Sequence, residues 1–130
     1  MNISQAASAS GLSAKTIRYY EEIGLTSPAP RGENGYRFYG EGALGELRFV
    51  HRAREVGFSV EESRELVELY RNQHRHSEHV RDLVLEKCED IEQRMAQLKS
   101  MQQVLRGLAQ RCNGDEGPEC AILDELGRAD

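Results

Sequence analysis

The feature that most constrains the fold is a stretch from about Ser77 to Ala109 that contains no proline and no glycine before Gly107. Mostly apolar residues recur within it at alternating spacings of four and three, which is a heptad repeat. These residues are Val84, Cys88, Ile91, Met95, Leu98, Gln102 and Leu105. A helix of this length is about 45 Å long and cannot bury such a seam against a small domain. The sequence therefore predicts a dimer, in which the same helix of a second subunit, parallel or antiparallel, covers the seam.

Two short helices are predicted at the beginning of the chain. The first covers Ile3 to Gly11, with Ser4 as its N-cap and the glycine as its stop signal. The second runs from Ala14 to Glu22 after an N-cap at Ser13. Two short helices joined by a glycine-containing turn are typical of a helix-turn-helix.

Two further helices complete the predicted N-terminal domain. One fits Glu41 to Val56, and the next begins with a capping box in which Ser59 is followed three residues later by Glu62. The predicted fold is mainly α, a winged helix-turn-helix followed by a long dimerisation helix and a C-terminal loop. The predicted divisions are 1–70 for the DNA-binding domain, 71–76 for a linker, 77–110 for the dimerisation helix, and 111–130 for a metal-binding loop with a short helix from Ala121.

A hairpin is predicted between the second and third helices. Pro28 and Pro30 exclude a helix there, and Asn34-Gly35 favours the positive backbone angles of a tight turn. An alternating run of aromatic and basic residues follows this turn. We expect a two-stranded wing with its arginines and tyrosines pointing outwards.

The distribution of charge favours a nucleic-acid partner for the N-terminal half. Residues 1–58 hold seven Lys/Arg against six Asp/Glu, a net charge of +1, whereas residues 59–130 carry −6. A locally basic face can bind phosphates while an acidic half stays away from them. The candidate DNA-binding residues are Lys15, Arg18 and Tyr20 on the second helix and Arg31, Tyr36 and Arg37 on the wing. Ordinary surface charge is the alternative interpretation.

Two cysteines near the C-terminus are the second chemical signal. Cys112 and Cys120 flank seven residues that include two glycines and a proline, which predicts a loop. Thiolates select soft cations such as Cu(I), Ag(I), Au(I), Hg(II) or Zn(II). Two sulfurs satisfy a monovalent ion, whereas zinc normally takes four ligands. Free thiols or a redox pair are the alternatives.

Other candidates are weaker. Cys88 lies on the heptad seam and is interpreted as a buried structural cysteine, although a divalent-metal sensor could use it as a third ligand. The cluster from His74 to His79 includes Arg75 and is interpreted as a polar helix entrance. No catalytic constellation stands in a suitable context, so we expect no enzyme. Neither a signal peptide nor an apolar span is present, so we expect a cytoplasmic protein.

Several motifs together resemble the MerR family of transcription regulators, and within it the copper-responsive members. The resemblance covers nearly the whole chain as far as Leu126, and the combination of motifs is highly specific. The matching pieces are Met1 to Ser4, Gly11-Leu12, Ile17 to Glu22, Gly24-Leu25, Arg31 to Arg37, Ala53 to Phe58, Glu61 to Ser63, Arg75 to Ser77, and Cys112 to Cys120.

The resemblance implies how such a protein works. It implies a homodimer, with the long helices in an antiparallel coiled coil, on a dyad-symmetric promoter shared with RNA polymerase. It also implies that the metal-bound dimer distorts the DNA so that copper efflux genes are activated. The residues it assigns to DNA binding are Lys15, Arg18, Tyr20, Arg31, Tyr36, Arg37 and Arg54. The implied Cu(I) ligands are Cys112 and Cys120, with Ag(I) and Au(I) as alternative inducers.

The resemblance also gives a role in metal selectivity to Ser77. Divalent-ion sensors of the family have a third cysteine at the start of the long helix, where this chain has Ser77. The resemblance therefore implies two sulfur ligands and a preference for +1 ions. In this view Ser77 contributes to the choice of ion charge but is not itself a ligand. A non-regulatory thiol or copper-binding protein is the alternative from another functional class.

Overall fold

The computed structural model describes residues 1–112 and 114–129, so Asn113 of the predicted loop and the C-terminal Asp130 lie outside the described residues. These ranges contain six α-helices and no strand, which confirms the predicted mainly α fold. The helices are α1 (Ile3–Ser10), α2 (Ala14–Glu22), α3 (Glu41–Glu55), α4 (Val60–Arg71), α5 (Ser77–Arg111) and α6 (Ala121–Leu126). The chain divides into two compact units, Met1–Val84 and Leu85–Asp130.

Side-chain caps fix the beginnings of the helices in the first unit. The predicted caps at Ser13 and Ser59 are confirmed, because both hydroxyls accept from backbone amides of the first turn. The predicted cap at Ser4 is wrong, since Asn2 caps α1. Asn2 and Gln5 form a reciprocal capping box, with distances of 2.8 and 2.9 Å. Two orphan amides are satisfied in this way, whereas Ser4 lies inside the helix.

The core of the first unit consists of two clusters that share α3. The first joins Ala6 of α1, Ile17 of α2 and Leu47 of α3 with Ala29 and Tyr39 from the connecting segment. The second comprises Tyr20, Leu25, Val50 and Val67. Leu47 and Val50 are one turn apart on α3, so this helix packs into both clusters.

The predicted wing is present as a tight turn with a single antiparallel bridge, between Arg31 and Arg37. Gly32 donates to the Tyr36 carbonyl over 2.7 Å, and Gly35 has the positive φ of +81° that the turn requires. The expected pair of strands is therefore wrong in extent. The ladder is short because Pro30 just before the bridge has no amide donor.

In the second unit, the predicted seam of α5 faces solvent in the single chain. Ile91, Met95, Leu98 and Leu105 are all exposed. Cys88, which we expected to be buried, is exposed as well. An apolar stripe of this length on an otherwise polar helix is typical of a surface that another helix covers.

None of the helices in the described part of the chain combines the length and apolar character needed to cross a membrane.

One buried polar contact connects α2 with the segment that follows the wing. The Tyr39 hydroxyl donates to Oε1 of Glu21 over 2.6 Å, and both side chains are buried. A hydrogen bond to a charged group contributes about 1.5–3 kcal/mol. Tyr39→Phe removes this donor and keeps the ring in the core.

We expect Tyr39→Phe to lower the free energy of unfolding by roughly 1.5–3 kcal/mol in urea denaturation followed by circular dichroism. Tyr36→Phe is the matched control, because the Tyr36 side chain is 74% exposed. Protein concentration must be held constant, since the predicted dimerisation would shift apparent stability. Equal stabilities of the two variants would contradict the assigned contact.

Candidate DNA interface and metal site

A concave surface of the first unit brings together four of the predicted DNA-binding residues. A cleft of about 830 Å³ is bounded by the start of α1, by α2 and by the wing turn. The predicted residues that line it are Arg18, Arg31, Tyr36 and Arg37. Three guanidinium groups and a phenol around one open cleft form a surface suited to phosphate and sugar groups.

Local contacts hold the wing residues in place. Arg31 donates from Nη1 to the carbonyl of Gly35 over 2.8 Å, which closes the turn. The amide of Tyr36 donates to Oδ1 of Asn34 over 3.1 Å. Both bonds lie within the turn, and the Tyr36 side chain is exposed and available to a partner.

Arg37 has a second partner inside the protein. Its guanidinium forms an ion pair with Glu21, whose side chain is only 2% exposed, whereas that of Arg37 is 38% exposed. The neighbouring Tyr39 has a pKa raised by burial, although the positive charges of Arg37 and Arg18 partly oppose the shift. Arg37 therefore touches both the protein interior and the cleft.

Tyr20 does not lie on the exposed face of α2, where a DNA-binding residue was predicted. Its side chain is 7% exposed and belongs to the second core cluster. Tyr19 is 50% exposed instead. Helical spacing explains the difference, because Tyr20 follows the buried Ile17 by three residues and Tyr19 follows the exposed Lys15 by four.

Lys15 and Arg54 are exposed but do not line the cleft. Lys15 lies in the first turn of α2, near the helix start that would enter a groove. Arg54 lies in the last turn of α3, where its Nη1 donates to the carbonyl of Phe58 over 2.8 Å. The structure therefore groups the wing with Arg18 and leaves Arg54 at a separate position.

In the second unit, the two loop cysteines lie side by side. Their sulfur atoms are 3.6 Å apart, and both residues are half-buried. A disulfide would need about 2.05 Å. One ion with metal–sulfur bonds of about 2.3 Å can contact both sulfurs at this separation. The donor set thus fits a soft metal ion bound by Cys112 and Cys120.

The environment of Cys120 favours its thiolate. Cys120 is the N-cap of α6, and its pKa is lowered first by the backbone amide of Leu123, then by the Cys112 thiol and by the amide of Ile122. Burial and the charge of Asp124 act in the opposite direction. A thiolate is the form that binds metals, so the helix start prepares this ligand.

Ser77 and the histidines lie at the other end of α5. Ser77 is the first residue of that helix and is exposed. His79 pairs through Nε2 with Glu65 over 3.5 Å, on the surface of the first unit. Within residues 1–112 and 114–129, no group of three or more His, Cys, Asp or Glu side chains is placed to hold a metal ion.

Comparison with known families agrees with this architecture. Residues 1–69 match the family model of the MerR HTH family regulatory protein, and residues 44–108 match the model described as MerR, DNA binding. The chain belongs to the MerR family of transcription regulators, and it is not an enzyme.

Individual relatives are similar over almost their whole length. The chain is 48% identical over 126 residues to the HTH-type transcriptional regulator CueR of Escherichia coli O6:H1, covering 97% of this chain and 93% of the relative. It is 47% identical to heavy metal-dependent transcription regulator 2 of Rhizobium meliloti, with 97% and 86% covered. The crystal structure of PbrR691 from Ralstonia metallidurans in complex with lead(II) has a TM-score of 0.85 at 28% identity and covers 97% and 98%. The class is thus a metal-responsive MerR-type regulator close to CueR.

The lowered pKa of Cys120 gives a measurable reactivity. In the metal-free protein, we expect the alkylation rate of Cys120 to reach half its maximum at a lower pH than that of an ordinary thiol. Cys112→Ala removes the side-chain donor and should move this midpoint to higher pH, while the Leu123 amide preserves part of the shift. Mass spectrometry of the Cys120 peptide measures the rate. Cys88→Ser is the control and should leave the midpoint in place.

Proposed function

We propose that the chain is a Cu(I)-responsive activator that binds a dyad-symmetric promoter as a homodimer and acts with RNA polymerase on copper efflux genes. The observation that carries the metal site is the pair of thiols 3.6 Å apart in one loop, whereas the number of donors carries the choice of metal. Two sulfurs and no further soft donor in the sequence of this loop favour a monovalent d¹⁰ ion. Ag(I) and Au(I) share these properties and are proposed as accidental inducers.

The proposed DNA-binding residues follow the surface described above. Lys15 and Arg18 contact the major groove or its phosphates, and Arg31, Tyr36 and Arg37 contact the backbone from the wing. We add Tyr19 and omit Tyr20, because Tyr20 belongs to the core. Arg54 is proposed as a phosphate contact at a separate position.

The proposed homodimer follows from α5. The helix has 35 residues, and Ser77 is its first residue while Cys112 follows its last. At 1.5 Å per residue its ends are about 50 Å apart, so these positions can meet only between two chains. An antiparallel pair places the start of one α5 beside the end of the other. Ser77 of one subunit would then lie near the cysteine loop of its partner.

Metal binding and DNA distortion are coupled in this proposal. A bound monovalent ion would supply a soft acceptor that ties Cys112, at the end of α5, to Cys120, at the start of α6. The two thiols thereby hold the loop in one conformation. If that conformation suits distorted promoter DNA better than straight DNA, metal shifts the equilibrium towards the distorted complex. The protein would do this in the cytoplasm, where its promoter is.

A divalent-metal sensor is the second candidate, and the similarity to the lead(II) complex of PbrR691 favours it. A divalent ion such as Zn(II), which usually takes four ligands, would need donors beyond these two thiolates. Cys88 is exposed in the single chain, but it lies on the seam that the dimer would cover. The serine at position 77 favours the monovalent candidate.

Transcription from the protein's own promoter across a panel of metals tests the proposed function. We expect induction by Cu(I), Ag(I) and Au(I), and loss of induction with Cys112→Ser or Cys120→Ser while DNA binding persists. Cys88→Ser is the matched control and should respond as the wild type does. Induction by copper in a variant with both loop cysteines replaced would contradict the assigned site.

Ser77→Cys tests the proposed basis of selectivity. The added thiolate would provide a third soft ligand from the partner subunit, so we expect induction to extend to Hg(II) and Zn(II). Ser100→Cys in the middle of α5 adds the same group away from the loop and should change nothing. A metal profile of Ser77→Cys identical to that of the wild type would show that position 77 does not select ion charge.

A further inference from the structure

Behind the cleft lies a carboxylate that no role described so far requires. Glu21, on α2, is almost fully buried, with its side chain 2% exposed. Oε1 accepts from the Tyr39 hydroxyl over 2.6 Å, and Oε2 pairs with Nη1 of Arg37. A buried ionised carboxylate destabilises a protein unless it is paired and hydrogen-bonded, and here it has both partners.

These two partners come from the segment that carries the wing. Arg37 closes the wing through its bridge with Arg31, and Tyr39 lies two residues further along in the first core cluster. Glu21 therefore attaches two side chains of one short segment, those of Arg37 and Tyr39, to α2. Arg18, which lines the same cleft, is on α2 as well. The distance between the cationic groups of the cleft depends on this attachment.

Arg37 can bind Glu21 and a phosphate at the same time. A guanidinium has five N–H donors in a planar fork, and the contact with Glu21 occupies only part of it. The Arg37 side chain is 38% exposed and lines the cleft. Glu21 thus pairs with Nη1, and the remaining N–H donors of the group can bind a phosphate in the cleft.

We infer that Glu21 is a positioning residue for DNA binding, which holds Arg37 and the wing in register with Arg18 on α2. This inference rests on the proposed DNA-binding function. If Glu21 positions Arg37 in this way, the negative charge of Glu21 strengthens the binding of DNA although it lies close to the DNA-binding surface. The raised pKa of Tyr39 agrees with a hydroxyl that stays protonated as a donor to Glu21.

Simple electrostatics predicts the opposite effect of the Glu21 charge on DNA binding. Neutralising a carboxylate near a polyanion reduces repulsion, and it would also release Arg37 for phosphate. If Glu21 only shields Arg37, Glu21→Gln should tighten binding and increase the number of phosphate contacts. If Glu21 positions Arg37, the same change should weaken binding and remove contacts. The direction of the effect separates the two explanations.

The experiment measures Kd and its salt dependence for the full-length chain on a duplex carrying its own promoter. Each phosphate contact contributes about 0.9 to the slope of log K against log salt, so loss of one contact per subunit lowers a dimer's slope by about 1.8. We expect this decrease for Glu21→Gln, with a Kd raised on the order of tenfold to a hundredfold at 0.1 M salt. The matched control is Glu22→Gln, an exposed carboxylate on the same helix, which should bind as tightly as the wild type or tighter.

A double-mutant cycle shows whether Glu21 acts through Arg37. In an Arg37→Ala background, Glu21→Gln should change Kd by less than about twofold, because independent effects would keep their full size and add to within about that tolerance. Tyr39→Phe keeps the ion pair and removes the orienting hydroxyl, so it should weaken binding in the same direction by a smaller factor. It also provides the test if Glu21→Gln does not fold.

The outcomes separate this inference from the proposed function. Failure of the wild-type chain to bind the promoter in a salt-dependent manner would overturn the DNA-binding function itself. Salt-dependent binding by the wild type, with Glu21→Gln equal or tighter, would overturn the positioning role alone. Effects of Glu21→Gln and Arg37→Ala that simply add would overturn it too.

Discussion

The packing of α3 against two separate clusters is the constraint on which the first unit depends. Leu47 contacts the cluster built around α1 and α2, whereas Val50 packs with α4 through Val67. In a unit this small, few side chains are fully buried, so each contributes a large share of the stability. The orientation of α2, and with it of Arg18, follows from how α3 fills the space behind it.

Much of this arrangement could be predicted from the sequence, because local chemistry determines it. Ser13 and Ser59 are recognisable caps, and Gly11 ends α1 with the positive φ that glycine allows. The same local preference favours Ser4 as a cap, whereas Asn2 and Gln5 together satisfy two amides. Asn2 caps the helix and Ser4 does not, because the Asn2 and Gln5 side chains act as a pair. A preference that considers one residue at a time does not include such paired contacts.

The candidate site could be predicted only in part, because several of its properties arise from contacts between distant segments. The spacing of Cys112 and Cys120 indicated a donor pair, and the structure places them together. The helical spacing of Tyr20 from Ile17 indicates burial, whereas its position beside basic residues favours a DNA contact. The Glu21–Arg37 pair joins residues 16 positions apart on different elements, and no local pattern indicates it.

The origin of both sulfur donors within a single loop has a consequence for stoichiometry. Each subunit of the proposed dimer carries a complete pair of donors, so the assembly would have two equivalent capture points. A half-loaded species then exists between the empty and saturated forms. Under the proposed function, how sharply the promoter responds to rising metal would depend on whether one filled loop is enough to stabilise the distorted duplex.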